Sequence, residues 1–229
     1  MTMRFRFALS IVACIGSLGA SAAKDARIDT ASVNLPPPTG YCELTEQQPS
    51  DARMIKFVTE LLAGRNELLA MSADCRQLQN WRTGKQPVLD DYVQYQTLIV
   101  TKGSNFPRAA AVKQICAQVR AEGEKLVAVG TEEANRRVEG IVKEIKINEN
   151  RVLGVLAEDA DACYFATVQK MRTETGTDKT QVILSAVTTI KGKILYYYSF
   201  SLYSDPGTVN TALKRHKANI AAVLKANGG

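Results

Sequence analysis

The chain contains one histidine, His216, and this scarcity excludes many kinds of catalytic site. A single imidazole cannot supply the ligands of a multi-histidine metal centre. A serine triad would need His216 to meet an activated serine, and the Gly-x-Ser-x-Gly elbow that often positions one is missing. His216 lies on the apolar stripe of a lysine-rich helix, which is typical of a packing residue. We therefore expect no catalytic residue, no metal and no cofactor; a hydrolase with an unrecognised site is the alternative.

Long apolar runs are also missing after residue 23, which excludes a transmembrane helix from the rest of the chain. No two cysteines have the C-x-x-C spacing, so the sequence supports neither a thioredoxin-type redox centre nor a zinc ribbon. The densest basic run is the four residues 214–217. A solvated helix face explains such a short run better than a nucleic-acid patch does. We expect no nucleic-acid partner.

The first 23 residues have instead the pattern of an export signal. Arg4 and Arg6 form a short basic region, residues 7–19 are apolar, and Ala20-Ser21-Ala22 provides the small residues of a cleavage site. As a helix, the apolar stretch would cover about 20 Å, which is less than the hydrocarbon core of about 30 Å. We therefore expect cleavage after residue 22 or 23 and a periplasmic or secreted protein.

Within this signal, Ile11-Val12-Ala13-Cys14 resembles the acylation motif of bacterial lipoproteins. An acylated Cys14 would become the mature N-terminus and would anchor the protein to a membrane. Apolar residues continue past Cys14, which favours simple cleavage. A lipid-anchored structural protein is therefore the alternative to a freely exported one.

Four cysteines would remain after cleavage: Cys42, Cys75, Cys116 and Cys163. Four cysteines allow three connectivities, and an oxidising compartment favours pairing. Cys42 with Cys75 is the favoured bond, because each lies near the end of a predicted strand that flanks one helix. Cys116 with Cys163 is the remaining pair. Because Cys116 lies on an apolar helical face, a buried free thiol is the alternative there.

We divide the chain into the signal at 1–23, a flexible tether at 24–39 and a single α+β domain at 40–229. The tether is expected because these residues are polar at first and then contain Pro36-Pro37-Pro38. The domain is long enough to bury a substantial core.

The domain opens with a predicted βαβ unit and continues with a central pair of helices. The unit comprises a strand at 40–44, a helix from Pro49 to Gly64 and a strand at 67–73. After a β-favouring run at 87–100, helices are predicted to begin at Pro107 and near Thr131.

The last third has the clearest pattern, a set of antiparallel strands followed by a helix packed on the sheet. Four strands are predicted at 151–156, 162–171, 181–190 and 193–203, with a helix from Asp205-Pro206 to the C-terminus. Tight turns at Lys191-Gly192 and Thr175-Gly176-Thr177-Asp178 would join them in pairs. The predicted class is α+β with a mainly antiparallel sheet.

This order of elements is similar to the PsbP-like α/β/α sandwich, known from photosystem accessory proteins and bacterial envelope lipoproteins. The residues that carry the resemblance are Lys191-Gly192-Lys193-Ile194-Leu195, the strand 196–203, Asp205 and the closing helix to Ala226-Asn227. The helices from 107 to 145 are an addition to the family pattern. The resemblance implies an accessory or binding role more than catalysis, although fold alone does not settle function.

Alternation along residues 193–203 places successive side chains on opposite faces of the predicted sheet. One face carries Tyr196, Tyr198, Phe200 and Leu202. The other carries Tyr197, Ser199, Ser201 and Tyr203. An aromatic sheet face can line a groove, so Trp81, Tyr197 and Tyr203 are the candidate residues for binding a partner protein or a small ligand. Packing in the core is the alternative for them.

Overall fold

A computed structural model describes residues 23–141, 146–172 and 178–229. Within these ranges the chain forms a seven-stranded sheet, a two-stranded hairpin and four α-helices, which confirms the α+β class. The signal at 1–22 and the turn at 175–177 lie outside the described residues. No helix among the described residues is long and apolar enough to cross a membrane.

The elements follow one another along the chain with a short 3₁₀ turn at Ile99–Thr101. The strands are β1 Lys24–Ile28, β2 Ala31–Leu35, β3 Tyr41–Glu43, β4 Asn66–Asp74, β5 Tyr92–Leu98, β6 Lys146–Glu158, β7 Cys163–Arg172, β8 Asp178–Ile190 and β9 Lys193–Leu202. The helices are α1 Pro49–Leu62, α2 Cys75–Arg82, α3 Arg108–Ile141 and α4 Pro206–Ala226. The large sheet has the order β3-β4-β5-β9-β8-β7-β6, and each neighbouring pair is antiparallel.

The predicted tether at 24–39 is wrong, because residues 24–35 form the β1–β2 hairpin. Its apolar side chains, Ile28, Val33 and Leu35, are buried in the main core. The two strands are short and largely polar, so their alternation was weak evidence for structure. One buried face is nevertheless enough to hold a hairpin against a larger sheet.

The predicted βαβ unit has the right order of elements but the wrong strand direction, since β3 and β4 are antiparallel. Leu44, just after β3, hydrogen-bonds the carbonyl of Met71, and α1 then delivers the chain to Asn66 at the start of β4. Helix α1 therefore continues in the direction of β3, and β4 then runs back antiparallel to β3. A connection between parallel strands would instead have to return the chain to the end of the sheet at which β3 begins.

The predicted central helix pair is also wrong, because α3 is one continuous helix of 34 residues. Thr131 does not cap a second helix: its hydroxyl donates to the carbonyl of Val127 one turn earlier, at 2.7 Å. Gly123 lies within this helix on the side that faces β6, where a Cβ would be in ordinary van der Waals contact with Val152, at 3.5 Å.

The four predicted strands of the last third are present, and α4 follows them. Asp205 and Thr208 form a reciprocal capping box at the start of α4, as the Asp205-Pro206 pair indicated. The β8–β9 turn has φ of 49° at Lys191 and 80° at Gly192. These values belong to the tight hairpin turn that the sequence predicted there, in which glycine avoids the steric cost of positive φ.

The two faces of the sheet are covered differently. On one face, α4 and the β1–β2 hairpin lie over β4, β8 and β9 and enclose the main core. On the other face, α1 and α2 pack on β4 at one side, and α3 packs on β6, β7 and β8 at the other side. The central strands β5 and β9 lie between these two helical walls.

Two disulfides attach those walls to the sheet. Cys42 of β3 is bonded to Cys75 at the start of α2, with 4.9 Å between the Cα atoms. Cys116 of α3 is bonded to Cys163 of β7, with 5.5 Å between the Cα atoms. The structure thus contains the favoured bond and also the remaining pair, so Cys116 is not a free thiol.

Replacing Cys116 and Cys163 together by alanine should lower the free energy of unfolding by about 4 kcal/mol, because the bond closes a loop of 47 residues. Urea denaturation of the oxidised protein measures the loss. The Cys42→Ala, Cys75→Ala pair is the matched control, with a slightly smaller loss from its 33-residue separation. Free thiols in the denatured, unreduced protein without residues 1–23 would contradict one bond or both.

Candidate binding face

The face of β9 that carries Tyr197 is the covered one. Tyr197 is 0 % exposed, and its ring lies 4.4 Å from that of His216 on α4 and 5.0 Å from that of Tyr95. The alternation along β9 is present as predicted, but the prediction of Tyr197 as a binding residue is wrong. Because α4 packs over it, Tyr197 belongs to the core.

The other two predicted binding residues are half-buried and lie on opposite sides of the sheet. Trp81 packs in the apolar cluster of α1, α2 and β4, together with Tyr92. Tyr203 packs beside Val209 and Leu213 of α4, in the cluster of Leu184. The structure therefore does not bring Trp81, Tyr197 and Tyr203 onto one surface.

The opposite side of the same two central strands carries a second group of aromatic rings. Tyr92 stacks on Phe200 with 4.4 Å between ring centroids, and Tyr196 lies parallel to Tyr198 with 5.9 Å between centroids. Tyr196, Tyr198 and Phe200 are partly exposed and belong to none of the apolar clusters formed by the described residues. These rings line the floor between the helical walls.

Glutamine side chains lie beside these rings. Gln94 pairs with Tyr198 across the strands, and Gln96 pairs with Tyr196. Asn66 donates to Gln96 at 2.7 Å, and Gln96 donates to Gln94 at 2.6 Å. This chain of amides ends at Gln94, whose Nε2 group donates to no other described residue and keeps access to solvent although Gln94 is only 4 % exposed.

Further uncharged polar groups continue across β8 and β7 on this face. Gln181 and Gln169 are cross-strand partners and are each 6 % exposed, and Ser185 is the partner of Tyr198. The side chains of these three residues hydrogen-bond no other described residue. Their polar atoms are nevertheless in contact with solvent. We call this surface the aromatic-amide face; its residues are Tyr92, Gln94, Gln96, Gln169, Gln181, Ser185, Tyr196, Tyr198 and Phe200.

Every side chain of the aromatic-amide face is uncharged at neutral pH. Burial raises the pKa of Tyr196 to about 12 and raises the pKa values of Tyr198 and Tyr92 further. The three phenols therefore remain protonated and can each donate a hydrogen bond. The face offers amide and hydroxyl groups between apolar ring surfaces, without a formal charge.

The walls beside this face are held together by charged contacts. In one wall, Arg82 of α2 donates to both carboxylate oxygens of the buried Asp51 of α1, at 3.0 and 2.5 Å. At one end the walls meet, where Arg65 pairs with Glu133 of α3, and Arg137 donates to the carbonyl of Leu61 at 2.9 Å. A further pair lies at the opposite end, where Lys179 of β8 contacts Asp90, just before β5, at 2.7 Å. The charges thus lie in the walls and at the two ends, and the floor between them is neutral.

The described residues do not assemble a serine triad. Ser201 donates to Asp91 at 3.0 Å, and Asp91 also accepts from Arg215 and, at 2.5 Å, from the Tyr41 hydroxyl. His216 takes no part: its Nδ1 lies 3.2 Å from the carbonyl of Ala212, and its Nε2 is buried without a partner. The Asp91 network fastens α4 to β3 and β9, and nothing in it activates the serine. No three Asp, Glu, Cys or His side chains of the described residues are placed to hold a metal ion.

A groove of about 750 Å³ lies between α3 and β6, lined by residues 119–125 and 152–155. Its charged side chains are exposed, and one of them, Arg120, pairs with Glu158 at 2.7 Å. No buried polar groups converge there. It offers less specific chemistry than the aromatic-amide face.

Sequence reasoning found the two rows of β9 side chains but assigned binding to the wrong row. It did not select Gln94, Gln96, Gln169 or Gln181 at all. Gln94 and Gln96 could have been noticed as glutamines at alternate positions of one strand, whereas Gln169 and Gln181 each stand alone in theirs. No protein-family model and no curated protein matches this chain.

His216, which reports on the covered face, should not titrate between pH 8 and pH 5. Burial, followed by the charge of Arg215, lowers the pKa of His216 to about 3. Because His216 is the single histidine, its imidazole NMR signals can be assigned directly in protein without a histidine tag. A titration midpoint near 6.5 would contradict the packing of α4.

The same shift sets the pH dependence of stability. The stabilisation from the neutral, buried imidazole is fully present above pH 6.5. As the pH falls from 6.5 towards 3, the free energy of unfolding decreases by up to about 1.4 kcal/mol per pH unit. Urea denaturation of the wild type and of His216→Gln at pH 7 and pH 5 measures this contribution, because the variant lacks the group that titrates.

Proposed function

We propose that this protein is exported to the envelope of a Gram-negative-like bacterium and acts there as a binding or accessory protein, with its ligand on the aromatic-amide face. The signal pattern at 1–23 and the two disulfides support export to an oxidising compartment. The resemblance to PsbP-like proteins also favours binding over catalysis.

The observation that carries the proposal is the open hydrogen-bonding capacity of Gln94, Gln169, Gln181 and Ser185. Each residue is at least nine-tenths buried, yet its open polar atoms keep contact with solvent. They are therefore held in place by the surrounding sheet and can still pair with a ligand. A ligand that pairs with the open amides explains their presence, because a few polar groups placed among apolar surfaces fix a ligand's orientation.

Export itself gives the first test. Expressed from its full-length gene in a Gram-negative host, the protein should be recovered from the periplasm or the medium with a mature N-terminus at residue 23 or 24. Intact-mass spectrometry measures this, with a variant carrying Arg4→Glu and Arg6→Glu as the control for signal function. Retention of Met1 would contradict export, and a diacylglyceryl mass on Cys14 would show the lipid-anchored form.

Binding can be tested without knowing the ligand by placing a photo-crosslinking phenylalanine analogue at position 198 or, as the matched control, at position 203. Irradiation of living cells should give covalent adducts from position 198 and few from position 203, because Tyr203 packs on the covered side. Mass spectrometry of the purified protein detects adducts of any class. Equal adduct yields at the two positions would contradict the aromatic-amide face as the binding site.

A further inference from the structure

Building on the binding function proposed above, we propose that the ligand of the aromatic-amide face is a chain of uncharged sugars, that is, a neutral glycan. The inference concerns the class of ligand. It rests on three properties of the face: its open amides, its rings and its lack of charge.

The open amides match the hydroxyl groups of a sugar. A hydroxyl both donates and accepts, and a carboxamide does the same, so one glutamine can pair with two neighbouring hydroxyls. No other described residue hydrogen-bonds the amides of Gln169 and Gln181 or the Nε2 group of Gln94, and Ser185 adds a hydroxyl. These groups span β5, β8 and β7 and are therefore separated widely enough to contact more than one sugar unit.

The rings match the other surface of a sugar, the apolar side formed by its C–H groups. Tyr196, Tyr198 and Phe200 occupy alternate positions along β9, so they repeat about every 7 Å on one face. A repeating row of partly exposed rings fits a chain better than a single compact molecule. Leu202 continues the row and is 44 % exposed, at the end away from the Arg65–Glu133 junction and next to the Lys179–Asp90 pair.

The lack of charge excludes other ligand classes. A phosphate, a nucleotide or an acidic sugar would lose hydration on binding to this face, and Lys179 at its end is already paired with Asp90. An extended peptide would need free backbone groups, yet β5 is paired with β4 and β9, and β9 with β5 and β8. A neutral, hydroxyl-rich chain meets neither obstacle.

The test uses the mature protein on an array of neutral glycans, with oligogalacturonates as charged controls of similar size and with unstructured peptides, followed by titration calorimetry on any glycan that binds. We expect at least one neutral glycan to bind. Its affinity should fall at least tenfold in Gln181→Leu and in Tyr198→Ala and stay within twofold of wild type in Gln118→Leu and Tyr203→Ala. Gln118 is an exposed amide on α3, so it matches the glutamine change at a site away from the face.

A thermal melt separates binding from folding. Gln181→Leu should melt at or above the wild-type temperature, because it replaces an unpaired amide by an apolar group of similar size. Loss of glycan affinity with an unchanged or higher melting temperature supports the proposal. Binding of charged glycans as tightly as neutral ones, or equal affinity in Gln181→Leu and wild type, overturns it.

The outcomes distinguish the ligand class from the binding function. If no neutral glycan binds but position 198 still gives specific adducts in cells, the glycan class is wrong and the binding function stands. A peptide that binds in place of a glycan, with the same sensitivity to Gln181→Leu, overturns the glycan class in the same way. If position 198 gives no specific adduct and no glycan binds, both proposals fail.

Discussion

The organisation of this protein depends on an unequal covering of one antiparallel sheet. A seven-stranded sheet needs both faces shielded, and here α4 and the β1–β2 hairpin complete that task on one side. On the other side the helices pack on the outer strands. The central strands are left with a floor whose composition differs from a core, since several of its amides hydrogen-bond no other described residue.

The separation between the walls is held by bonds that an oxidising compartment would form. Cys42–Cys75 fixes the start of α2, and Cys116–Cys163 fixes α3 on the sheet. The Asp51–Arg82 pair and the Arg65–Glu133 contact complete the attachment. With both walls fastened at several points, the aromatic-amide face is preorganised, and a ligand bound there would not have to bear the entropic cost of ordering it.

The sequence predicted the helices and strands better than it predicted which of them pack against one another. The alternation of β9, the Lys191-Gly192 turn and the Asp205 cap were all readable, because each is a local pattern with a local physical cause. The side on which α4 packs is a tertiary property, and Tyr196, Tyr197 and Tyr198 look identical in sequence. The hairpin at 24–35 was missed for a related reason, since its strands acquire their stability from the sheet beneath them.

The three consecutive tyrosines of β9 also mean that the strand carries little information about its own register at that point. If β9 slid by one residue against β8, a tyrosine would still face each side at the centre of the strand, while the serines and Phe200 would exchange sides. The two-residue turn at Lys191-Gly192 fixes the alignment at one end, and Asp205, where α4 starts, follows at the other. The distinction between the inside of this protein and its candidate ligand surface is therefore encoded in a turn too short to permit a frame shift.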